Sequence, residues 1–194
     1  PGSSTIYYVF SLDDLGGTDG LRYSTVDMSL ASGQGSVTSK NVMLQTPSCE
    51  KVTSVMHCNG VDVWLLSHDV GTNVFRNFLI TSAGVSTAAV TSSVGVVNTT
   101  GVGTLGQLKV SPNGKKLGVA LYGDDAFEVF DFDPGTGIVS NALTLLSGNA
   151  ADQAYGCEFS PDGSKFYGGR WSNGQITQWD LCAGSNTAVI ASAH

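Results

Sequence analysis

Three residues of this sequence could together carry out a hydrolysis: His68, Asp69 and Arg170. A histidine can act as a general base, a neighbouring carboxylate can orient it, and an arginine can stabilise a developing anion. In principle such a set would suffice to open a lactone. Because Arg170 lies far along the chain from the other two, this chemistry depends on a fold that brings the three side chains together.

Carboxylates recur in successive predicted loops and are candidate ligands for a metal ion. They are Asp14, Asp69, Asp124 and Asp125. Ca²⁺ prefers about six to eight oxygen ligands, which loops gathered on one face could supply. Asp is also favoured in turns for its own hydrogen bonds, and no compact DxDxDG loop is present. We therefore expect that the protein has no cofactor. The alternative is that these carboxylates bind Ca²⁺.

Trp171 and Tyr122 are candidates for ligand binding, because they occupy matching positions of a repeat described below, next to a predicted loop. Exposed aromatic rings there could stack against a sugar. Trp179 matches Phe78 and Phe130 instead, and we expect it to pack in the core.

The cysteines do not indicate a metal centre or a disulfide framework. His57 and Cys58 are adjacent, but they fall in a predicted turn with no third ligand nearby in sequence. The CxxC spacing of a zinc site is missing. We expect all four thiols to be reduced: Cys49, Cys58, Cys157 and Cys182.

The elements that must position these residues follow from a repeat. The turn Ser111-Pro-Asn-Gly114 returns as Ser160-Pro-Asp-Gly163, 49 residues later, and each copy lies between two short apolar stretches. Proline presets φ in such a turn, and glycine supplies the positive φ. A hairpin that recurs every 40–50 residues or so is typical of a β-propeller blade.

The repeat predicts an all-β fold, a β-propeller segment of about four blades at approximately 1–47, 50–96, 104–147 and 153–194. Each unit has an inner strand, two middle strands and a weak fourth strand, but the first unit begins at its turn and lacks the inner strand. The predicted fourth strands of the last three units are Ala88–Ser92, Ala142–Leu146 and Ala188–Ser192. We expect a chain that continues in both directions and forms seven blades when whole.

The register of the inner strands is also predicted by their alternation. Leu108, Val110, Cys157 and Phe159 should be buried between blades. Their intervening neighbours, Lys109 and Glu158, should face the axial channel.

Charge and hydropathy limit the partners. The net charge is −7, which argues against a nucleic acid or an anionic membrane surface, since both need a basic face. No apolar run reaches the roughly 18–20 residues of a membrane span.

The motifs resemble a known family in their order along nearly the whole chain. They are Tyr7-Tyr-Val-Phe10, Leu21-Arg-Tyr-Ser-Thr-Val-Asp-Met28, Lys51-Val-Thr-Ser-Val-Met-His-Cys-Asn-Gly60, Lys109-Val-Ser-Pro-Asn-Gly114 and Tyr155-Gly-Cys-Glu-Phe-Ser-Pro-Asp-Gly163. Together they resemble the N-terminal β-propeller of secreted Bacteroidota proteins that carry a gliding-motility-associated sorting domain. The resemblance implies export by the type IX secretion machinery through a sorting domain that this sequence does not contain. It also implies a secreted or cell-surface location. More distantly, the hairpins are similar to those of lactonase-like seven-bladed propellers.

Taken with the resemblance, the sequence favours a non-catalytic binding or adhesion module for an extracellular protein or glycan. The alternative is a lactonase-like hydrolase with a site at the propeller axis. The first predicts exposed ligand-binding side chains, and the second predicts catalytic groups that converge.

Overall fold

A computed structural model describes residues 1–148 and 153–194. Within these residues the chain forms fourteen strands and one short α-helix. The strands are β1 (Ile6–Leu12), β2 (Leu21–Asp27), β3 (Ser36–Gln45), β4 (Ser48–Met56), β5 (Val63–Asp69), β6 (Val74–Thr81), β7 (Gly84–Ser93), β8 (Leu108–Val110), β9 (Lys116–Leu121), β10 (Ala126–Asp133), β11 (Ile138–Leu146), β12 (Ala154–Phe159), β13 (Lys165–Arg170) and β14 (Ile176–Asp180), and α1 spans Asn186–Ala191.

The strands form four antiparallel sheets in which each strand pairs with its neighbour in sequence. Blade 1 is β1–β3, blade 2 is β4–β7, blade 3 is β8–β11, and blade 4 is β12–β14. This confirms the predicted β-propeller units, including a first blade that has three strands and no inner strand.

The repeated turns explain why the inner hairpins form where the sequence predicts them. In blade 3, Asn113 Oδ1 accepts the Lys115 amide at 3.0 Å. In blade 4, Asp162 Oδ1 accepts the Ser164 amide at the same distance. Gly163 has a φ of 71°, which its lack of a Cβ makes inexpensive. The turn side chains thus satisfy the backbone donors of the reversal.

The core lies between the faces of neighbouring blades. Aromatic residues dominate the contact between blades 3 and 4, where the Phe127 and Trp179 rings are 5.5 Å apart. Trp179 is fully buried, as the repeat predicts. Gly168 leaves room for the Phe127 ring, because a Cβ there would lie 2.7 Å from it. Hydrophobic burial between sheets therefore holds each blade to the next.

The inner-strand register is confirmed with one difference. Leu108, Cys157 and Phe159 are buried, while Val110 is half-buried instead of fully enclosed. The intervening side chains are partly exposed, and Lys109 Nζ lies 3.2 Å from Glu158 Oε2. Val110 is less enclosed because it is the last residue of a three-residue strand, where the sheet gives way to the turn.

The predicted fourth strand of the last unit, Ala188–Ser192, is wrong, because this segment belongs to helix α1 and its C-terminal cap. Ser185 caps the helix by accepting the Ala188 amide at 3.2 Å. Val189 is buried in the core beside blades 3 and 4. A Ser N-cap stabilises the helical conformation of a segment whose apolar pattern would also be compatible with a strand. In the described ranges, the helices are all too short to cross a membrane.

Candidate functional site

The loops between second and third strands meet the segments that lead into the inner strands. The Gly71 amide donates to Asn98 O at 2.9 Å, and the Trp171 amide donates to Gln153 O at 2.9 Å. Gly16 also lies against Val70 and Thr104, Gly123 lies against Gly103, and the Tyr122 ring lies against Trp171. Together these contacts place five segments on one surface, which we call the loop face: residues 13–20, 70–73, 94–107, 122–125 and 171–175. The predicted ligand-binding and carboxylate residues lie on it or at its base.

Three aromatic residues from blades 3 and 4 form a cluster on the loop face, which we call the aromatic trio: Tyr122, Tyr155 and Trp171. The Tyr122 ring lies 6.0 Å from Tyr155 and 6.5 Å from Trp171, both with edge-to-face geometry. Trp171 is 67% exposed and Tyr155 is 43% exposed. Their backbones are tied down, since Gln107 donates to Tyr155 O at 2.9 Å. Both residues predicted to bind a ligand, Trp171 and Tyr122, lie in this cluster together with Tyr155.

An ion pair lies directly beside the trio. Arg170, which precedes Trp171, is 3.4 Å from Asp125 Oδ1 through Nε and 2.8 Å from Gln175 Oε1 through Nη1. Asp125 is fully buried, and among the described residues its Oδ2 has no hydrogen-bond partner. Arg170 therefore serves to balance a buried carboxylate and to fix the strand end from which Trp171 projects.

His68 is enclosed in the core and does not face a ligand. It is 1% exposed, and the Asn98 amide nitrogen lies 2.8 Å from its Nδ1. The Phe75 ring packs edge-on at 4.6 Å. Burial lowers the pKa of His68 to about 4, because the desolvated imidazolium is disfavoured. The imidazole is thus neutral at physiological pH but cannot reach a substrate.

The predicted hydrolase set does not assemble. Asp69 pairs with Arg76, whose Nε donates to its Oδ1 at 2.7 Å, and Arg170 pairs with Asp125. Within residues 1–148 and 153–194 no hydrogen bond or ion pair links Arg170 to His68 or Asp69. The structure keeps His68 and Asp69 in blade 2 and Arg170 in blade 4.

The predicted Ca²⁺ ligands are also separate. Asp69 and Asp125 are bound by different arginines, while Asp124 Oδ2 is 3.5 Å from the Thr99 hydroxyl. Asp14 is exposed in a 3₁₀ turn. Among the residues that the structure describes, no three His, Cys, Asp or Glu side chains cluster as metal ligands would.

Lys51 is a buried residue of β4 that supports the loop face, and sequence reasoning missed it. Only 1% of it is exposed, and its Nζ donates to three backbone carbonyls, those of Gly103, Thr104 and Leu105, at 3.3, 2.8 and 2.5 Å. Desolvation lowers its pKa to about 8. Lys51 thereby fastens the segment that enters blade 3 to the inner strand of blade 2. Nothing in the sequence around Lys51 distinguishes it from a surface lysine.

All four cysteines are free thiols. Burial raises the pKa of Cys49 to about 11 and that of Cys157 to about 12, so both behave as small apolar residues. Cys58 is exposed in its turn, and its neighbour His57 stacks on Trp64 at 5.9 Å. The His57–Cys58 pair is therefore part of a turn that packs against the core.

Comparison with solved structures supports the β-propeller assignment. A Bacteroides fragilis protein proposed to be a 6-phosphogluconolactonase matches with a TM-score of 0.61 and 16% identity, over 89% of this chain and 47% of its own. The periplasmic gluconolactonase PpgL of Pseudomonas aeruginosa matches with a TM-score of 0.59 and 16% identity, over 94% and 48%. Hydrazine synthase of Kuenenia stuttgartiensis matches with a TM-score of 0.51 and 18% identity, over 90% and 49%.

The chain spans about half the length of these solved structures. No protein-family model and no curated protein matches it. At identities below a fifth, and with unlike activities named among the three proteins, the likeness establishes the fold and leaves the function to the site residues.

Proposed function

We propose that this chain is a non-catalytic binding module of a β-propeller and that it captures an extracellular glycan on its loop face. The observation that carries the proposal is the aromatic trio. Trp171 presents two thirds of its surface to solvent, although a ring of this size is normally buried when it has only a packing role.

The trio has the chemistry that sugar binding requires. The face of an aromatic ring carries negative charge density, and it attracts the C–H groups on the less polar side of a pyranose. Tyr122 packs against Trp171 through an edge contact and is itself packed edge-on by Tyr155, so less side-chain entropy is lost when a ligand binds. Asp124 lies in the loop after Tyr122 and can accept hydrogen bonds from sugar hydroxyls at the rim.

A binding assay with a matched control tests this proposal. Screening of the protein against immobilised glycans should identify a ligand, and Trp171→Ala should weaken its binding about tenfold or more. Tyr7→Ala removes another exposed aromatic ring, from β1 in blade 1, and should leave binding unchanged. Equal binding by wild type and Trp171→Ala would refute the role of the trio.

A lactonase-like hydrolase with a site at the axis is the second candidate, and it is favoured by the fold shared with the two lactonase-type proteins. The partly exposed Lys109–Glu158 pair could serve it. Glu158 could activate a water molecule as general base, and Lys109 could stabilise the oxyanion that forms at the lactone carbonyl. Hydrolysis of an aldonolactone that is lost in Glu158→Gln but kept in Trp171→Ala would replace the binding proposal.

Export is part of the proposal and is supported by the family resemblance of the sequence alone. The partner would be the type IX secretion machinery, and the location would be the cell surface or the medium. Fractionation of cells with and without that machinery tests it. Retention of the protein inside cells that have a working system would contradict export by this route.

A further inference from the structure

A groove separate from the aromatic trio lies between blades 1 and 2. It has a volume of about 450 Å³ and is lined by the end of β3, the segment that follows it, the loop after β5, and β6. This volume is within the range of small-molecule sites, roughly 300–1,000 Å³. Its polar side chains include Gln45, Asp69 and Arg76, and Pro47 and Val70 supply apolar surface.

The polar side chains of the groove are fixed by hydrogen bonds to one another. Gln45 is 7% exposed, and its Oε1 accepts the Ser67 hydroxyl at 2.7 Å. Its Nε2 then donates to Asp69 Oδ1 at 2.6 Å, and Arg76 Nε donates to the same oxygen at 2.7 Å. The orientation of Asp69 and Arg76 is therefore set before any ligand arrives.

This arrangement leaves specific groups unused. In the part of the chain that the structure describes, Asp69 Oδ2 and the two terminal nitrogens of Arg76 have no hydrogen-bond partner. The free acceptor oxygen of Asp69 and up to four N–H donors of Arg76 thus belong to neighbouring side chains. Gln45 holds Asp69 in place.

We propose that this groove binds a neutral sugar through two neighbouring hydroxyl groups. One hydroxyl donates to Asp69 Oδ2, while the oxygen of the next accepts from a terminal nitrogen of Arg76. A carboxylate ligand would meet the charge of Asp69, and an ammonium ligand would meet that of Arg76. The ion pair is neutral as a whole, so a neutral ligand fits it better than either ion. Pro47 and Val70 offer apolar surface for the C–H groups of the ring.

The groove is a second site, independent of the aromatic trio, and NMR can test it by residue. Methyl glycosides of neutral hexoses at tens of millimolar are added to ¹⁵N-labelled protein, and the amide signals of Val70 and Thr72 are followed. We expect saturable shifts there. Arg76→Lys keeps the charge but loses the forked donors, and it should weaken this binding about tenfold. Arg22→Lys, in a surface ion pair of blade 1, is the matched control and should change nothing.

Three outcomes would overturn the inference. One is the absence of shifts at Val70 and Thr72 with every hexose, and another is shifts that Arg76→Lys leaves unchanged. The third is a preference for gluconate over neutral sugars, which would show anion binding. Trp171→Ala distinguishes this site from the trio. If the variant no longer binds the glycan but keeps the shifts of Val70 and Thr72, both sites are supported. Loss of the groove shifts in Trp171→Ala would contradict an independent site in the groove and would leave the proposal for the trio standing.

Discussion

Replacing Lys51 by Met tests the energetics of the loop face most directly. The substitution keeps the length of the side chain but removes the donor to three backbone carbonyl oxygens, two of them buried and one partly buried. Leaving buried acceptors without a partner costs roughly 1–3 kcal/mol each, and part of this is recovered because no charge is buried any longer. We expect a loss of about 2–4 kcal/mol in the free energy of unfolding at pH 7.

The pH dependence of this loss has a definite sign. The pKa of Lys51 is about 8 in the folded protein, whereas the ordinary lysine value of 10.5 applies to the unfolded chain. Between these values the unfolded chain binds more protons than the folded one, so the contribution of Lys51 to stability rises with pH. From pH 7 to pH 10 the rise amounts to roughly 2–3 kcal/mol. The stability difference between wild type and Lys51→Met should therefore grow over this range.

Urea unfolding at several pH values measures this difference. The buried thiols of Cys49 and Cys157 have raised pKa values, so their contribution falls as pH rises above 9. Both proteins contain these thiols, and the comparison largely removes their effect. Lys109→Met deletes a partly exposed lysine of the next inner strand and is the control for the loss of a lysine outside the core. A wild-type minus Lys51→Met difference that is flat or shrinks with pH would refute a buried, desolvated Lys51.

Three further predictions concern packing and metal binding. Gly168→Ala places a Cβ against the Phe127 ring and should cost about 1–3 kcal/mol in chemical unfolding, whereas Gly169→Ala, with 3.8 Å of clearance, should cost distinctly less. Phe159→Ala should cost about 3–5 kcal/mol in the same assay, and a near-neutral result would contradict its position between blades. Thermal melts with Ca²⁺ and with a chelator should superimpose, because two of the four candidate carboxylates are already in ion pairs with arginines. A rise of several degrees with Ca²⁺ would restore the metal site.

The fold was predictable where local chemistry and repetition agree. The Ser-Pro-Asn/Asp-Gly turns are specified by residues within five positions of each other, so they locate both inner hairpins from sequence alone. The alternation of Cys157, Glu158 and Phe159 then fixes the register, since a slip of one residue would bury the carboxylate. Helix α1 escaped prediction, because a single cap at Ser185 decides between helix and strand for a short apolar segment. A total of seven blades stays a prediction.

The site was less predictable, because it depends on contacts between blades. Trp171 and Tyr122 stand out through their places in the repeat, but Tyr155 joins them only when the inner strand of blade 4 is placed beside blade 3. Asp69 and Arg76 are close in sequence, yet the groove also needs Gln45 from blade 1. The role of Lys51 could not be predicted from the sequence either, because its three acceptors lie more than fifty residues away along the chain.

The choice between a binding module and a hydrolase depends on which groups a ligand can reach. A general base must come within hydrogen-bond distance of the proton that it removes, and His68 is sealed behind Asn98 and Phe75. A hydrolase built on this chain therefore needs a more accessible base, such as Glu158, whose side chain is 59% exposed. The aromatic trio contains no histidine or carboxylate side chain, which are the commonest general bases. Its exposure leaves aromatic surface available to a ligand, and for that reason the trio, rather than the fold shared with lactonases, supports the proposed function.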